Sequence, residues 1–256
     1  MNNGAKLNKP RILLFDIETA PSLGAYFELY REGNIVWAEK DWYILCFVAK
    51  WLDSKEVITS ALPDYPLYKR NREDDKQVVK ALWKLLNEAD IVVAHNGDQF
   101  DIKKSNARFI EHGLKPPKPY KSIDTKKIAK QYFRFDSNKL DELGRHLGLG
   151  RKLQTGGHKL WQDCIKGDKK AWRKMVEYNI QDVKLLEKVY LKFLPWIQNH
   201  PNFNVYVGSE NKCPNCGSKQ LMRQGHAYSA TGVFQQFNCK KCGRWSRKPM
   251  NNRPVR

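Results

Sequence analysis

Four carboxylates and a phenol fall in three short stretches of this chain: Asp16 and Glu18 in LLFDIET, Asp101 in HNGDQFD, and Tyr178 with Asp182 in YNIQD. Carboxylate oxygens are hard ligands that select Mg²⁺ or Mn²⁺. Two such ions about 3.5 to 4 Å apart can make water nucleophilic and neutralise a leaving oxygen, which is what phosphodiester hydrolysis needs. The charge balance supports this reading, because 46 Lys and Arg against 27 Asp and Glu leave a net charge of +19. Such an excess favours a polyanionic partner. Tyr178 and Asp182 are four residues apart, which on a helix places the phenol one turn from a metal ligand, where it can orient the attacking water without being ionised.

Those residues meet only if the elements carrying them are brought together. Residues 11–17 form an apolar run typical of a buried strand, and alternate residues of a strand share a face, so Asp16 and Glu18 project together. Residues 22–41 are aromatic and charged without a clean period, and are read as an irregular insertion. Residues 42–52 and 55–60 flank Asp53 and Ser54 as a hairpin would. Apolar spacing predicts an amphipathic helix over 73–88 and a second buried strand over 91–94 that runs into the loop holding Asn96, Phe100 and Asp101. Asp98 is the expected N-cap of a helix through Glu111. A strand over 120–123, a helix over 125–133 and an interrupted helical pattern over 138–196 follow, and the last helix, 169–193, carries Tyr178 and Asp182. Strands interleaved with helices, with one early hairpin, indicate an α/β layered domain on a mixed sheet.

The last fifth of the chain has its own pattern. Cys213 and Cys216 form one C-x-x-C pair and Cys239 and Cys242 another, each followed by Gly, with 22 residues between them. Four thiolates at this spacing predict one structural Zn²⁺, with no open position for catalysis. The segment is similar to zinc ribbons, and ten Lys and Arg lie around it. Binding to DNA and docking to a polymerase both remain open as its role. Cys46 and Cys164 are expected to be core or bystander thiols.

Residues 11–195 resemble the DEDD superfamily of 3′-to-5′ exonucleases, which includes the proofreading domains of DNA polymerases. Asp16 and Glu18 match its first motif, Asn96, Phe100 and Asp101 its second, and Tyr178 with Asp182 the tyrosine form of its third. The histidine form would need His where this chain has Glu177. The resemblance implies a ribonuclease-H-like mixed sheet flanked by helices, and two Mg²⁺ or Mn²⁺ held by Asp16, Glu18, Asp101 and Asp182. It also implies removal of nucleotides from the 3′ end of single-stranded or frayed DNA. RNA as substrate, and a non-catalytic adaptor of a replication or repair complex, are the alternatives. A separate DNA polymerase or replication protein is an expected partner.

The expected organisation is a flexible N-terminus over 1–10, the exonuclease domain over 11–197, a linker over 198–211, the ribbon over 212–248 and a basic tail over 249–256. No run of about 18 apolar residues is present and residues 1–11 lack an apolar core, so neither a membrane span nor a secretory signal is expected, and the bacterial or virus-infected host cytoplasm is the expected location. Several residues near the motifs carry plain structural expectations. His95 should bond to backbone, and Asp124 should cap the next helix or support the site. His158, after Gly156 and Gly157, is read as part of a turn that also has the reach to touch phosphate. Phe100 is expected to be partly core, and Tyr26, Trp37 and Trp42 are read either as core residues or as candidates for stacking on bases.

Overall fold

Strand β1 (Ile12–Thr19) is the middle of a five-stranded sheet, and its apolar residues are buried on both faces. The computed structural model describes residues 9–27, 35–208 and 211–250. A short antiparallel pair, β2 (Leu23–Ala25) and β3 (Trp37–Lys40), follows β1. The segment read as irregular is therefore partly ordered by backbone pairing, although residues 28–34 lie outside the described ones. The predicted hairpin forms as β4 (Ile44–Trp51) and β5 (Ile58–Ala61), which pair antiparallel. Next come α1 (Lys76–Glu88), β6 (Ile91–Ala94), α2 (Asp101–Glu111), β7 (Lys121–Asp124) and α3 (Thr125–Tyr132). Helices α4 (Leu140–His146), α5 (Lys159–Lys166) and the 25-residue α6 (Lys169–Phe193) complete the body.

The strand order is β5-β4-β1-β6-β7, with β1 antiparallel to β4 and parallel to β6. This is a mixed sheet flanked by helices, as expected. Alternation along β1 divides the core. Leu13, Phe15 and Ile17 pack with Val78, Val79 and Leu82 of α1, whereas Ile12 and Leu14 face Leu185, Leu186 and Val189 of α6. Asp16 and Glu18 continue the second series, so the strand's two-residue period aims both carboxylates at α6.

Asp75 ties the first layer together from a fully buried position. It accepts hydrogen bonds from the Ile44 amide at 2.8 Å and from Arg108 Nε at 2.8 Å, joining α1, β4 and α2.

Beyond α6 the chain does not run free. Helix α7 (Phe203–Val207) lies inside the segment expected to be a linker, and Phe203 is buried against the sheet-facing cluster of α6. The apolar side chain at Phe203 has a ready surface beside Leu194 and Ile197, which keeps the backbone close; residues 209–210 lie outside the described ones. Strands β8 (Leu221–Ser229), β9 (Gly232–Cys239) and β10 (Trp245–Pro249) form a separate antiparallel sheet, so the predicted ribbon extends one residue further than expected. Most of the expected basic tail, residues 251–256, and residues 1–8 of the expected flexible N-terminus lie outside the described residues. Among the described residues no helix is long and apolar enough to cross a membrane.

Candidate active site

Helix α6 begins at Asp168, whose carboxylate accepts hydrogen bonds from the amides of Lys170 and Ala171 at 2.6 and 2.9 Å. That cap fixes the start of a helix whose inward stripe carries Asp182, Leu185, Leu186, Val189 and Phe193. The stripe lies against β1 and β4, so Asp182 arrives opposite the two carboxylates of β1. Carboxylate oxygens of Asp16, Glu18 and Asp182 fall within 4.8 Å of one another. Asp101 opens α2, and its Oδ1 accepts a hydrogen bond from the Ile17 amide at 3.1 Å. It stands beside Asp16 but outside that tight group of three, held by the strand's backbone.

Burial and mutual repulsion set the acidity. Burial raises Asp16 well above the usual carboxylate range, and Asp101, Glu18 and Asp182 add to it. Burial pushes Glu18 up to about 8, with Asp182 reinforcing it. Asp101 is raised to about 7 by burial, against the opposing hydrogen bond from Ile17. Asp182 is also raised by burial, and Lys152 opposes this. Carboxylates concentrated in this way need positive charge to ionise together.

Part of that charge comes from a residue the sequence reading passed over. Lys152 Nζ lies 2.6 Å from Asp182 Oδ2 and 2.8 Å from the Tyr178 hydroxyl. Burial works against its ammonium, but the attraction and hydrogen bond of Asp182 hold its pKa above the ordinary lysine value. Lys152 is one of 46 Lys and Arg, and its sequence neighbours carry no motif that marks it. Burial likewise raises the Tyr178 phenol, which therefore stays protonated near neutral pH.

A cleft of about 730 Å³ opens from Glu18 and is lined by Trp42, Phe100, Lys104, His158 and Trp161. Phe100, expected to be partly core, is 37% exposed because it caps α2 at the mouth of this cleft. His158 precedes α5 and lines the same space. Trp42 carries Lys104 Nζ 3.6 Å from its ring centre, while Tyr26 and Trp37 are more than half exposed. Asn96 sits at the turn before α2 with φ +69°, its amide bonded to Asp124 Oδ1 at 3.0 Å.

Asp124 caps α3 through the amides of Lys126 and Lys127, and also accepts from the Asp98 amide, so it both starts a helix and braces the Asn96 loop. Asp98 is not the cap of α2. Phe100 takes that position, and the Asp98 side chain turns away to Ser122 and Lys127. His95 pairs with the Thr125 hydroxyl and the Asn138 carbonyl, both at 2.9 Å, as a structural histidine should.

The residues present fit metal ions. At the carboxylate site, Asp182 Oδ1 is buried with no hydrogen-bond partner, and the donors are hard oxygens suited to Mg²⁺ or Mn²⁺. In the ribbon, Cys213, Cys216, Cys239 and Cys242 converge, with Sγ separations of 3.6 Å for Cys213–Cys242 and 3.7 Å for Cys216–Cys239. Sulfurs placed tetrahedrally about 2.3 Å from zinc stand about 3.8 Å apart, whereas a disulfide needs about 2.05 Å.

The family model described as the RNase_H superfamily matches residues 39–194. The match begins after β1, so Asp16 and Glu18 join the site through the fold. The chain is similar in structure to the family B DNA polymerase from the hyperthermophilic archaeon Pyrobaculum calidifontis, with a TM-score of 0.58 and 16% identity. That likeness covers 88% of this chain and 32% of the polymerase, so the chain spans about a third of the polymerase's length. At this identity the likeness is one of fold. Among curated proteins none matches the sequence.

Proposed function

Because the chain belongs to the RNase H superfamily, we propose that this nuclease removes nucleotides from the 3′ end of single-stranded or frayed DNA with two divalent metal ions. The observation that carries this reading is the convergence of Asp16, Glu18 and Asp182, with Glu18 facing an aromatic-lined cleft and a buried Asp182 oxygen that lacks a protein partner. In this reading residues 11–197 form the catalytic unit and residues 212–248 the ribbon. Asp16, Glu18, Asp101 and Asp182 would hold two Mg²⁺ or Mn²⁺, which supply the Lewis acidity that activates water and stabilises the leaving oxygen.

The chain's own groups do the rest. Tyr178, held by Lys152 and protonated near neutral pH, orients the attacking water. The Lys152 ammonium lies where it can meet a phosphate oxygen once it leaves Asp182. Trp42, Phe100 and Trp161 offer faces for a terminal base, and Lys104 and His158 lie where the backbone enters. Asn96 and Asp124 hold the loop that presents Phe100 and Asp101. Editing the 3′ ends made by a DNA polymerase is a task this activity would suit.

The test is cleavage of 5′-labelled single-stranded DNA and its RNA counterpart in Mg²⁺, Mn²⁺ or chelator, beside Asp16→Asn and Asp182→Asn. The expected result is a metal-dependent ladder that shortens from the 3′ end, is lost in both variants, and is faster on DNA. Internal cuts would replace the exonuclease reading with an endonuclease. Binding without cleavage under either metal would leave a non-catalytic adaptor.

A further inference from the structure

Residues 211–256 contain ten Lys and Arg and no Asp or Glu, so the ribbon is cationic throughout while the rest of the chain mixes both signs. Apart from buried Cys239, its sheet is exposed or half-exposed along all three strands, and the side that docks on the body is the knuckle side. There Asn215 Nδ2 donates to the Leu194 and Ile197 carbonyls at 2.8 and 3.0 Å, and Arg244 donates to the Pro195 carbonyl at 3.2 Å. The strands extend away from these contacts.

Register assigns the residues of one face. Met222, Asn238 and Trp245 are directly opposed across β8, β9 and β10. The next paired position of β9 and β10 is Gln236 with Arg247, and the next is Phe234 with Pro249. Directly opposed residues point to the same side of a sheet, so these seven share one face. Trp245 is 46% exposed, and the Arg247 guanidinium lies 4.4 Å from the centre of the Phe234 ring. The face thus presents an indole, a guanidinium held flat on a phenyl ring, two carboxamides and a thioether, with no negative charge nearby in the ribbon's sequence. A protein-docking face of ordinary composition would mix acids with bases. Aromatic planes with a flat cation and amide edges suit unstacked bases joined by phosphates.

We propose that this face of the ribbon binds single-stranded nucleic acid, separately from the catalytic cleft. It deepens the reading of the chain as a nuclease by giving the substrate a second hold, but it stands on the ribbon's own residues. The distance suits a longer strand. The ribbon meets α6 at Leu194, twelve residues beyond Asp182, or about 18 Å along the helix. Even at about 3.4 Å per nucleotide, the rise of a fully stacked strand, the docking point is about five nucleotides from Asp182, and the proposed face lies on the ribbon beyond that point.

The test uses the full chain carrying Asp16→Asn to stop turnover, with labelled 20-residue DNA and RNA single strands, read by fluorescence anisotropy across salt concentrations. Trp245→Ala with Arg247→Gln is expected to weaken binding about tenfold. Arg247→Gln alone should reduce the slope of log affinity against log salt by about 0.7. Zinc content, measured beside each variant, shows that the ribbon is intact, and Trp245→Phe should restore most of the affinity lost in Trp245→Ala. On the otherwise unaltered chain, cleavage of a tetranucleotide should be unaffected by the pair. Unchanged affinity and salt slope would overturn the proposal, as would loss of tetranucleotide cleavage with zinc retained. If the chain binds through this face yet cleaves nothing, the nuclease reading fails and this one stands. If it cleaves while binding ignores Trp245 and Arg247, the reverse holds.

Discussion

Lys152 Nζ stands 2.6 Å from Asp182 Oδ2 and 2.8 Å from the Tyr178 hydroxyl, so one ammonium joins two residues a single turn apart on α6. It supplies positive charge at the place where three carboxylates concentrate negative charge. In the proposed mechanism a lysine there would compete with a metal ion for Asp182 and, once displaced, would be free to meet substrate phosphate.

Lys152→Met should therefore separate two quantities. Affinity for Mn²⁺, measured by calorimetry without substrate, should rise several-fold because the competing cation is gone. Single-turnover cleavage should fall about a hundredfold, the usual cost of removing one donor aimed at developing charge. Weaker Mn²⁺ binding would contradict the competition.

Asp16→Asn should make the metal-free protein more stable. A carboxylate whose folded pKa lies above its unfolded value stabilises the fold at low pH and loses that contribution as pH rises. Asp16 is raised by burial and by its acidic neighbours, so at pH 7 it works against folding when no metal is bound. In chelator the variant should gain about 1 kcal/mol or more, and its Tm should no longer rise with added Mg²⁺. A lower Tm in chelator would count against the described electrostatics.

Cys242→Ser should lose the zinc and part of the body's packing with it. Cys216 and Cys242 pack on the cluster that holds Phe203 and Leu194. Elemental analysis should find one zinc per chain in the parent and none in the variant. The variant's Tm should be lower by about 5 °C or more, as a loss of about 2 kcal/mol gives in a chain of this size. An unchanged Tm with zinc absent would show that the ribbon does not support the body.

His95 gives a pH dependence away from the metal site. Burial lowers its pKa from 6.5 to about 4, against the pull of the Asn138 carbonyl. Its contribution is complete above pH 6.5, where both folded and unfolded forms are neutral, and is lost as pH falls toward 4 because the unfolded chain takes up the proton first. The full difference is about 3 kcal/mol. Chemical denaturation at pH 7 and pH 5 should show a larger loss in the parent than in His95→Gln, and equal losses would remove this assignment.

The elements that carry Asp16, Glu18 and Asp182 were readable because each obeys a short-range rule. β1 shows an apolar run that ends in two carboxylates two residues apart, and the bounds of α6 could be read as 169–193. The four cysteines were readable from spacing alone. Lys152 was not, because its role depends on a loop returning to α6 from 26 positions away, and nothing in RKLQTGGH marks one lysine from another. Asp98 misled for a related reason. Capping preference is local, but Ser122 and Lys127 arrive from β7 and α3 and take its carboxylate. Phe203 and His200 were hidden in a segment whose Asn and Pro content suggests a linker, although Tyr190 receives His200 in a buried contact at 2.8 Å.

Asn215 has a consequence for how the molecule is made. By bonding to the Leu194 and Ile197 carbonyls it seals the end of the helix that bears Asp182, and it belongs to a knuckle synthesised after that helix. On the ribosome α6 emerges first, its last carbonyls bare and Tyr190, Phe193 and Leu194 open to other chains. Closure awaits the ribbon, and small ribbons fold when zinc binds. If the four cysteines hold zinc, as their convergence suits, maturation of this chain is tied to zinc supply, and a zinc-starved cell would accumulate chains with the carboxylate cluster in place and a sticky, unfinished surface beside it.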